Sequence, residues 1–213
     1  MTKRTLDGLS WPLDLLDWKR HVVAMYADAR EGGGGEQTLT RFRDAKNDLF
    51  AGHVQSPIPV ADRGSFSGLN YYPYRSDLRI AAAMEPEISG VDLLLPSSGE
   101  EPFRFRRVGR VRFETGGAEV SLAVFWLSSY GGGVFIPFRD ATAGRETYGA
   151  GRYLLDTVKG SDLGTDADGR LNLDFNYAYN PSCTYDPQWH CPLAPPESRI
   201  AVAIEAGERA PYV

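Results

Sequence analysis

The feature of this sequence that most limits its fold is an alternating stretch, residues 110–127, centred on two adjacent glycines. It reads RVRFETGGAEVSLAVFWL, and apolar and polar side chains alternate on both sides of Gly116 and Gly117. A period of two is typical of a half-buried strand, and paired glycines supply the positive φ angles of a tight hairpin turn. We therefore predict an antiparallel β-hairpin with one face directed at a core.

Short runs of apolar residues, separated by glycines and prolines, predict further strands. Counting the two arms of the hairpin, the candidates are Leu78–Ala83, Val91–Leu95, Phe103–Arg107, Arg110–Glu114, Glu119–Leu127, Val134–Phe138, Arg152–Leu155, Leu171–Phe175 and Ile200–Ile204. No helical stretch of ten or more residues lies between them, so the long crossovers that parallel strands need are hard to fit. The prediction is an α+β protein with a mainly antiparallel core, either a β barrel or a sandwich-like arrangement.

The N-terminal quarter of the chain predicts two helices that pack as an antiparallel pair. In residues 12–29 apolar side chains recur three and four apart, which is the period of an amphipathic helix. Gly32–Gly35 ends this helix, and a second periodic stretch runs from Thr38 to Gly52. We predict a helical pair over residues 1–54, packed on a β-rich core over residues 55–213 to give one compact unit.

The balance of charges argues against a nucleic-acid partner. The chain has 23 Lys and Arg against 28 Asp and Glu, a net charge of −5, which repels polyanions at long range. Four arginines alternate with apolar residues along two neighbouring candidate strands, Arg104, Arg106, Arg110 and Arg112. The same pattern is found on proteins that bind single-stranded nucleic acid. Half-burial of the strand explains the same alternation, so we predict arginines in water or on acidic neighbours.

No stretch of the sequence reads as a membrane or targeting segment. Acidic residues interrupt the N-terminal apolar positions from Asp7 onward, and runs such as Val120–Leu127 fall well short of the roughly 20 residues that cross a bilayer. We expect a cytoplasmic protein without membrane contact.

Two cysteines, Cys183 and Cys191, lie in a proline-rich segment and leave three interpretations open. A structural zinc site needs four ligands, and the adjacent His190 and Cys191 are poorly placed to reach one ion. A short-loop disulfide is geometrically allowed but is disfavoured in the cytoplasm. The third interpretation, which we favour, is that both side chains pack as thiols; we expect no metal and no cofactor.

The remaining motifs supply no catalytic signature. His21, His53 and His190 are scattered without metal-ligand spacing, and no nucleophile elbow or phosphate loop is present. The three glycines after Tyr130 precede a candidate strand rather than a helix, so a tight turn explains them better than a phosphate site.

A dense block of polar residues between positions 137 and 199 is the candidate site. The candidate ligand-binding residues are Arg139, Asp140, Tyr148, Arg152, Asp174, Asn176 and Asn180. The two arginines would clamp a small anionic metabolite, the tyrosine and Asp174 would form an acid–base pair, and the two asparagines would orient the ligand. The alternative is a non-catalytic structural or interaction module in which these groups form a closed hydrogen-bond network. The sequence does not decide whether the protein is an enzyme.

Strand alternation makes one contact within this block specific. Asp174 and Asn176 fall on one face of a late strand, and Arg152 begins an earlier strand after Gly149 and Gly151. If the two strands are close, Arg152 can reach Asp174, whose charge would otherwise be costly to bury. We therefore predict one partly buried network that joins Arg152 to Asp174, with Asn176 at the rim of a pocket.

Two long segments carry the most specific pattern in the chain, PFRDATAGRETYGAGRYLLDTVKGSDLG and LDFNYAYNPSCTYDPQWHCPLAPPESR. Together with FRDAKNDLF, QSPI, GLNYYPY and AGER they resemble the DUF1684 family of bacterial and archaeal proteins of unknown function. The resemblance spans nearly the whole chain and implies that the candidate residues and both cysteines belong to the family pattern. His190 departs from that pattern, which weakens a Cys/His metal site. The family name supplies no activity, so no catalytic role follows from it.

Overall fold

The computed structural model describes residues 11–87, 92–128 and 130–211, which form two helices followed by a β-rich body. The helices are α1 (Trp11–Glu31) and α2 (Glu36–Gly52). The strands are β1 (Arg79–Ala82), β2 (Met84–Pro86), β3 (Asp92–Leu95), β4 (Phe103–Thr115), β5 (Ala118–Leu127), β6 (Val134–Phe138), β7 (Arg152–Asp156) and β8 (Leu171–Asp174).

The predicted hairpin is confirmed and is formed by β4 and β5. Thr115 pairs with Ala118 across the turn, where Gly116 and Gly117 have φ angles of 58° and 74°. The two strands predicted for residues 103–107 and 110–114 are one continuous strand, because a bulge at Arg107–Gly109 lets β4 keep its pairing with β5.

The half-burial predicted for β4 is also confirmed. Phe105, Val111 and Phe113 are buried, and the four alternating arginines pair with acidic side chains at 3.0 to 3.6 Å, on Glu85, Glu87 and Asp92. These ion pairs account for the arginines without a nucleic acid. The absence of a nucleic-acid partner stays a prediction.

The strands form two antiparallel sheets, which confirms the α+β class. The larger sheet has the order β2-β4-β5-β6-β7, with β3 also paired to β4, and the smaller sheet consists of β1 and β8. Leu122 and Ile136 from the larger sheet meet Ala82 and Leu173 from the smaller one in a single buried cluster. Among the described strands, β2 and β7 are the edge strands of the larger sheet and do not pair with each other. The sandwich-like alternative therefore fits, and a closed barrel is not confirmed.

Two strand predictions differ from the structure. Residues 200–204 form no strand: the Ile200 N–H bonds to the carbonyl of Arg139, and the Ile204 N–H bonds to the carboxylate of Asp140. A backbone carbonyl and a side-chain carboxylate therefore satisfy the N–H groups that a sheet partner would otherwise satisfy. The strand predicted for 171–175 ends at Asp174 because a 3₁₀ turn begins at Phe175. Val91, in the predicted strand 91–95, lies outside the described residues.

The helical pair packs on the core through aromatic side chains. Phe42 lies 4.8 Å from Tyr177 between ring centroids and 5.0 Å from Tyr26 of the other helix. Phe50 of α2 contacts Tyr185 at 5.7 Å. These contacts fix the position of the glycine-rich loop that joins the helices. Within the part of the chain that the structure describes, neither helix combines the length and apolar character that a membrane span requires.

The hairpin turn gives a direct test of this fold. Gly117→Ala should destabilise the protein by about 1 kcal/mol, because an alanine must adopt the left-handed region there, although no atom lies within 4 Å of the added carbon. Gly52→Ala is the matched control: the same open space surrounds it, but its φ is negative and it ends a helix, so it should be neutral or stabilising. Urea unfolding of both variants measures this; equal effects would contradict the assigned turn.

Candidate functional site

The most deeply buried charge in the polar block is Arg152, whose side chain is 0 % exposed. One terminal nitrogen donates to the carbonyls of Ala206 and Glu208 at 2.5 and 2.9 Å, and the other donates to Ile204 at 2.9 Å and to Asp140 Oδ1 at 3.3 Å. Burial lowers the pKa of Arg152, and the charge of Asp140 opposes this shift. The guanidinium therefore holds the C-terminal segment against β7 and is not directed at an open pocket.

Asp140 closes the other side of this network. Its Oδ2 accepts hydrogen bonds from the Ile204 N–H at 2.8 Å, the Thr142 hydroxyl at 2.7 Å and the Thr142 N–H at 3.2 Å. Arg139, predicted to share a ligand with Arg152, is half-buried and joins the same segment through its backbone, at Ser198 and Ile200. Protein atoms thus satisfy the polar groups of Asp140 and the terminal nitrogens of Arg152.

The predicted ion pair between Arg152 and Asp174 is wrong. Arg152 pairs with Asp140, whereas Asp174 Oδ2 lies 3.2 Å from the Nε of Arg79. The physical reason is that β7 ends the larger sheet and β8 belongs to the smaller one. Alternation within a strand does not reveal which sheet the strand joins.

Glu208 and Lys46 form a second buried ion pair that the sequence did not single out. The Lys46 Nζ donates to Glu208 Oε1 at 2.6 Å, and Oε2 accepts from the Asn180 N–H and the Tyr185 hydroxyl at 2.8 and 2.9 Å. Asn180 also donates to the carbonyl of Arg209 at 2.8 Å. This places Asn180 in the contact between helices and core. The only feature of the sequence that pointed to Glu208 was its place in the AGER segment, which is part of the family resemblance.

A cavity of about 540 Å³ forms a cleft between the glycine-rich loop, the smaller sheet and residues 163–165. The cleft is defined by polar side chains that share its surface: Arg30, Ser76, Arg79, Thr165, Asn172 and Asp174. Gly33 and Gly34 also line the cleft. Of the seven predicted site residues, only Asp174 lines this cleft.

Asp174 is held at the cleft surface by its neighbour Asn176. The Asp174 Oδ1 accepts from the Asn176 backbone N–H at 3.0 Å and from its side-chain amide at 2.8 Å. Asn176 is fixed in turn by two bonds of 2.8 Å to the backbone of Arg75. Burial raises the pKa of Asp174, while the bonds from Asn176 and the charge of Arg79 oppose the shift. A 3₁₀ turn brings Asp174 and Asn176 together, and Asn176 is buried behind the carboxylate, not at a rim as predicted.

Tyr177 and two arginines complete the polar surface of the cleft. The Tyr177 hydroxyl is buried without a hydrogen-bond partner, and burial together with the charge of Asp174 raises its pKa to about 12. Arg79 donates to the carbonyl of Gly33 at 3.2 Å but keeps 40 % of its side chain exposed. Arg30 donates to a backbone carbonyl on the far side of the cleft at 2.5 Å. Sequence reasoning missed these residues, since isolated charges near a helix end or strand end carry no motif.

Tyr148 is not near the acid–base partner predicted for it. Its hydroxyl lies 3.7 Å from the sulfur of Cys183, while Asp174 contacts Arg79 and Asn176. Cys183 and Cys191 are both free thiols. Cys183 is half-buried and Cys191 is buried, so the expectation of two buried thiols is met in full only by Cys191.

Two of the scattered histidines meet in the fold. His21, His53 and Asp17 bring one potential ligand atom each within 4.8 Å of the others, the only group of this kind in the described part of the chain. The N–H of Gln55 donates to His53 Nδ1 at 3.0 Å, so neutral His53 carries its proton on Nε2, which lies 3.2 Å from Asp17. A metal ion would have to displace this hydrogen bond.

Comparison with known proteins gives relatives without an assigned activity. The model of the family described as "Protein of unknown function (DUF1684)" matches residues 64–209. The chain is also similar to the uncharacterized protein from gene locus rrnAC0354 of Haloarcula marismortui, solved by solution NMR: 32% identity, 81% of this chain and 92% of that chain covered, TM-score 0.57. A search of curated proteins finds no significant match.

The closed network predicts a large loss of stability when one partner is removed. Asp140→Ala should destabilise the protein by about 3–5 kcal/mol, because it leaves the buried charge of Arg152 uncompensated. Asp168→Ala removes an exposed carboxylate that also pairs with an arginine and should leave the urea midpoint nearly unchanged. A small effect of Asp140→Ala would contradict the closed network.

The raised pKa of Asp174 predicts a pH-dependent difference between wild type and Asp174→Asn. Because the folded pKa exceeds the unfolded value, the folded state retains the proton longer, and this contribution to stability is lost as pH rises through the folded pKa. The variant does not titrate there. Its free energy of unfolding, measured in urea from acidic to neutral pH, should therefore rise relative to wild type. If the free energy of unfolding of Asp174→Asn fell relative to wild type as pH rises, the charge of Arg79 would outweigh burial in setting the pKa of Asp174.

Proposed function

Because this chain belongs to the DUF1684 family, whose description assigns no activity, we propose its function from the cleft: it binds a small polar molecule that carries an anionic group. The ligand is a small metabolite, and the protein acts in the cytoplasm without a nucleic-acid or membrane partner. The net charge of −5 supports the exclusion of polyanions. A cleft of about 540 Å³ lies within the usual range for small-molecule sites.

The observation that carries this proposal is the presence of two arginines in the lining of the cleft. Arg30 and Arg79 both line it, and a guanidinium fork matches the oxygens of a carboxylate or phosphate. The exposed part of Arg79 can turn toward a ligand, while its Nε stays at Asp174. Asp174 limits the anionic charge that the cleft accepts, since a second carboxylate close to it would be repelled.

The remaining polar groups would orient the ligand. The Tyr177 hydroxyl has no protein partner although it is buried, and an unpaired buried hydroxyl costs about 1–3 kcal/mol. A ligand oxygen that accepts from Tyr177 would remove that penalty. Asp174, fixed by Asn176, accepts hydrogen bonds from hydroxyl or amine groups of the ligand. The proposed ligand therefore carries an anionic group at one end and a hydrogen-bond donor at the other.

One observation favours the alternative function, a structural or interaction module, for a different part of the polar block. Protein atoms satisfy the Asp140 carboxylate and the two terminal nitrogens of Arg152, so we assign these two residues to stability rather than to binding. The two functions are separable, because the cleft lies at the smaller sheet and the network lies at β7.

A panel of small carboxylates, phosphate monoesters and amino acids tests the proposal by thermal shift. A member present at 100 times its dissociation constant should stabilise the protein by about 2.7 kcal/mol. Arg79→Gln should weaken its binding at least tenfold by titration calorimetry, because a charge-assisted hydrogen bond is lost. Arg112→Gln removes an exposed arginine that also pairs with a glutamate, on the hairpin, and should bind like wild type. Equal binding by both variants would rule out the cleft.

A further inference from the structure

A second cavity lies between the two helices and the segments at residues 159–161 and 179–185. Its volume is about 60 Å³, which is about the volume that two water molecules occupy in the liquid. Trp18 and Val22 of α1 and Phe50 of α2 contribute apolar walls. We call this space the inner cavity. None of its described lining residues belongs to the cleft, so the two spaces are separate.

Two tyrosine hydroxyls in the lining of the inner cavity are buried without a hydrogen-bond partner in the described part of the chain. Tyr26 is 3 % exposed and Tyr179 is 8 % exposed. Ser161 lies near both and opposes the rise in their pKa that burial causes, but its hydroxyl meets the geometry of a hydrogen bond with neither. A buried hydroxyl without a partner destabilises the fold, so both groups favour an occupant that bonds to them.

Asn180 adds a hydrogen-bond acceptor to the same lining. Its amide nitrogen donates to the carbonyl of Arg209 at 2.8 Å, which sets the orientation of the amide. Its Oδ1 is buried and has no partner among the described residues. The inner cavity therefore offers two hydroxyl donors and one amide acceptor. An occupant that satisfies all three must carry an acceptor and an N–H or O–H donor.

The charged side chains that line the inner cavity already have counter-ions. The Lys46 Nζ lies 2.6 Å from Glu208 Oε1, and the Lys159 Nζ lies 4.0 Å from Asp156 Oδ2. A charged ligand would bring a further charge into this space without a partner of its own, which is costly away from water. The charge balance therefore favours a neutral ligand.

The lining also leaves a route from solvent. Lys159 keeps 43 % of its side chain exposed, and Trp18, Val22 and Ser182 are only half-buried. These residues come from α1 and from the two segments that face it. A small solute can therefore enter beside α1 without separation of the helices from the core.

We propose that the inner cavity binds a small neutral primary amide of the size of acetamide. The ligand carbonyl accepts from the hydroxyls of Tyr26 and Tyr179, and its nitrogen donates to Asn180 Oδ1. The methyl end packs on the apolar walls. Four non-hydrogen atoms suit a space of about 60 Å³, and a neutral ligand leaves the Lys46–Glu208 pair intact.

Titration of the ¹⁵N-labelled full chain with acetamide, followed by amide chemical shifts, tests the assignment. Acetate is the matched control ligand, because it has the same shape but carries a charge and lacks the N–H donor. Acetamide should give saturable shifts centred on the amides of Tyr26, Lys46 and Asn180, and acetate should bind there at least tenfold more weakly. Absence of saturable acetamide shifts, which would leave the inner cavity to water alone, or equal binding of acetate at these residues, would overturn the proposal.

A pair of tyrosine variants tests the assigned contacts. Tyr179→Phe removes a hydroxyl that has no protein partner, so the variant should fold like wild type and bind acetamide about fivefold more weakly. Tyr71→Phe is the matched control: its hydroxyl is also buried without a partner, but Tyr71 does not line the inner cavity, and acetamide affinity should stay at the wild-type value. Arg79→Gln, which alters the cleft, should also bind acetamide like wild type. Unchanged affinity in Tyr179→Phe, or loss of acetamide binding in Arg79→Gln, would contradict binding in the inner cavity.

Discussion

The structure depends on the buried guanidinium of Arg152. A charge removed from water must find partners, and Arg152 finds three backbone carbonyls between Ile204 and Glu208 and the carboxylate of Asp140. These bonds draw an irregular C-terminal segment across β7. The same segment carries Glu208, whose carboxylate reaches Lys46 of α2. One buried charge on a strand thus positions a second buried charge, and the second fixes the helical pair to the β-rich body.

The cleft follows from this arrangement. With α2 held by Glu208 and by ring contacts to Tyr177 and Tyr185, the loop between the helices lies over the smaller sheet and encloses the cleft. Two aspartates of the polar block consequently have different roles. Both carboxylate oxygens of Asp140 accept hydrogen bonds from protein groups. Asp174 lies between Arg79 and Asn176 at the surface of the cleft.

Local pattern predicted the local structure well and long-range pairing poorly. Alternation and paired glycines predicted the hairpin correctly, and helical period predicted the two helices, because both signals lie within neighbouring residues. The strand expected at 200–204 fails because apolar content does not show that the backbone of residues 139–141 and the side chains of Arg152 and Asp140 will bond this segment. The Arg152–Asp174 pair fails for the same reason: the sequence does not say which sheet each strand joins. Lys46, Arg79 and Glu208 look like surface charges in the sequence, and only the fold shows that Lys46 and Glu208 are buried and that Arg79 faces a cleft.

The central claim is that anion recognition belongs to the cleft and not to the Arg152 network. Titration of ¹⁵N-labelled protein with inorganic phosphate, followed by amide chemical shifts, tests it directly. We expect saturable shifts centred on the amides of Gly33, Gly34, Arg79 and Thr165, with the signals of residues 139–152 unchanged. Shifts centred on residues 139–152, or spread evenly over exposed basic residues, would contradict it.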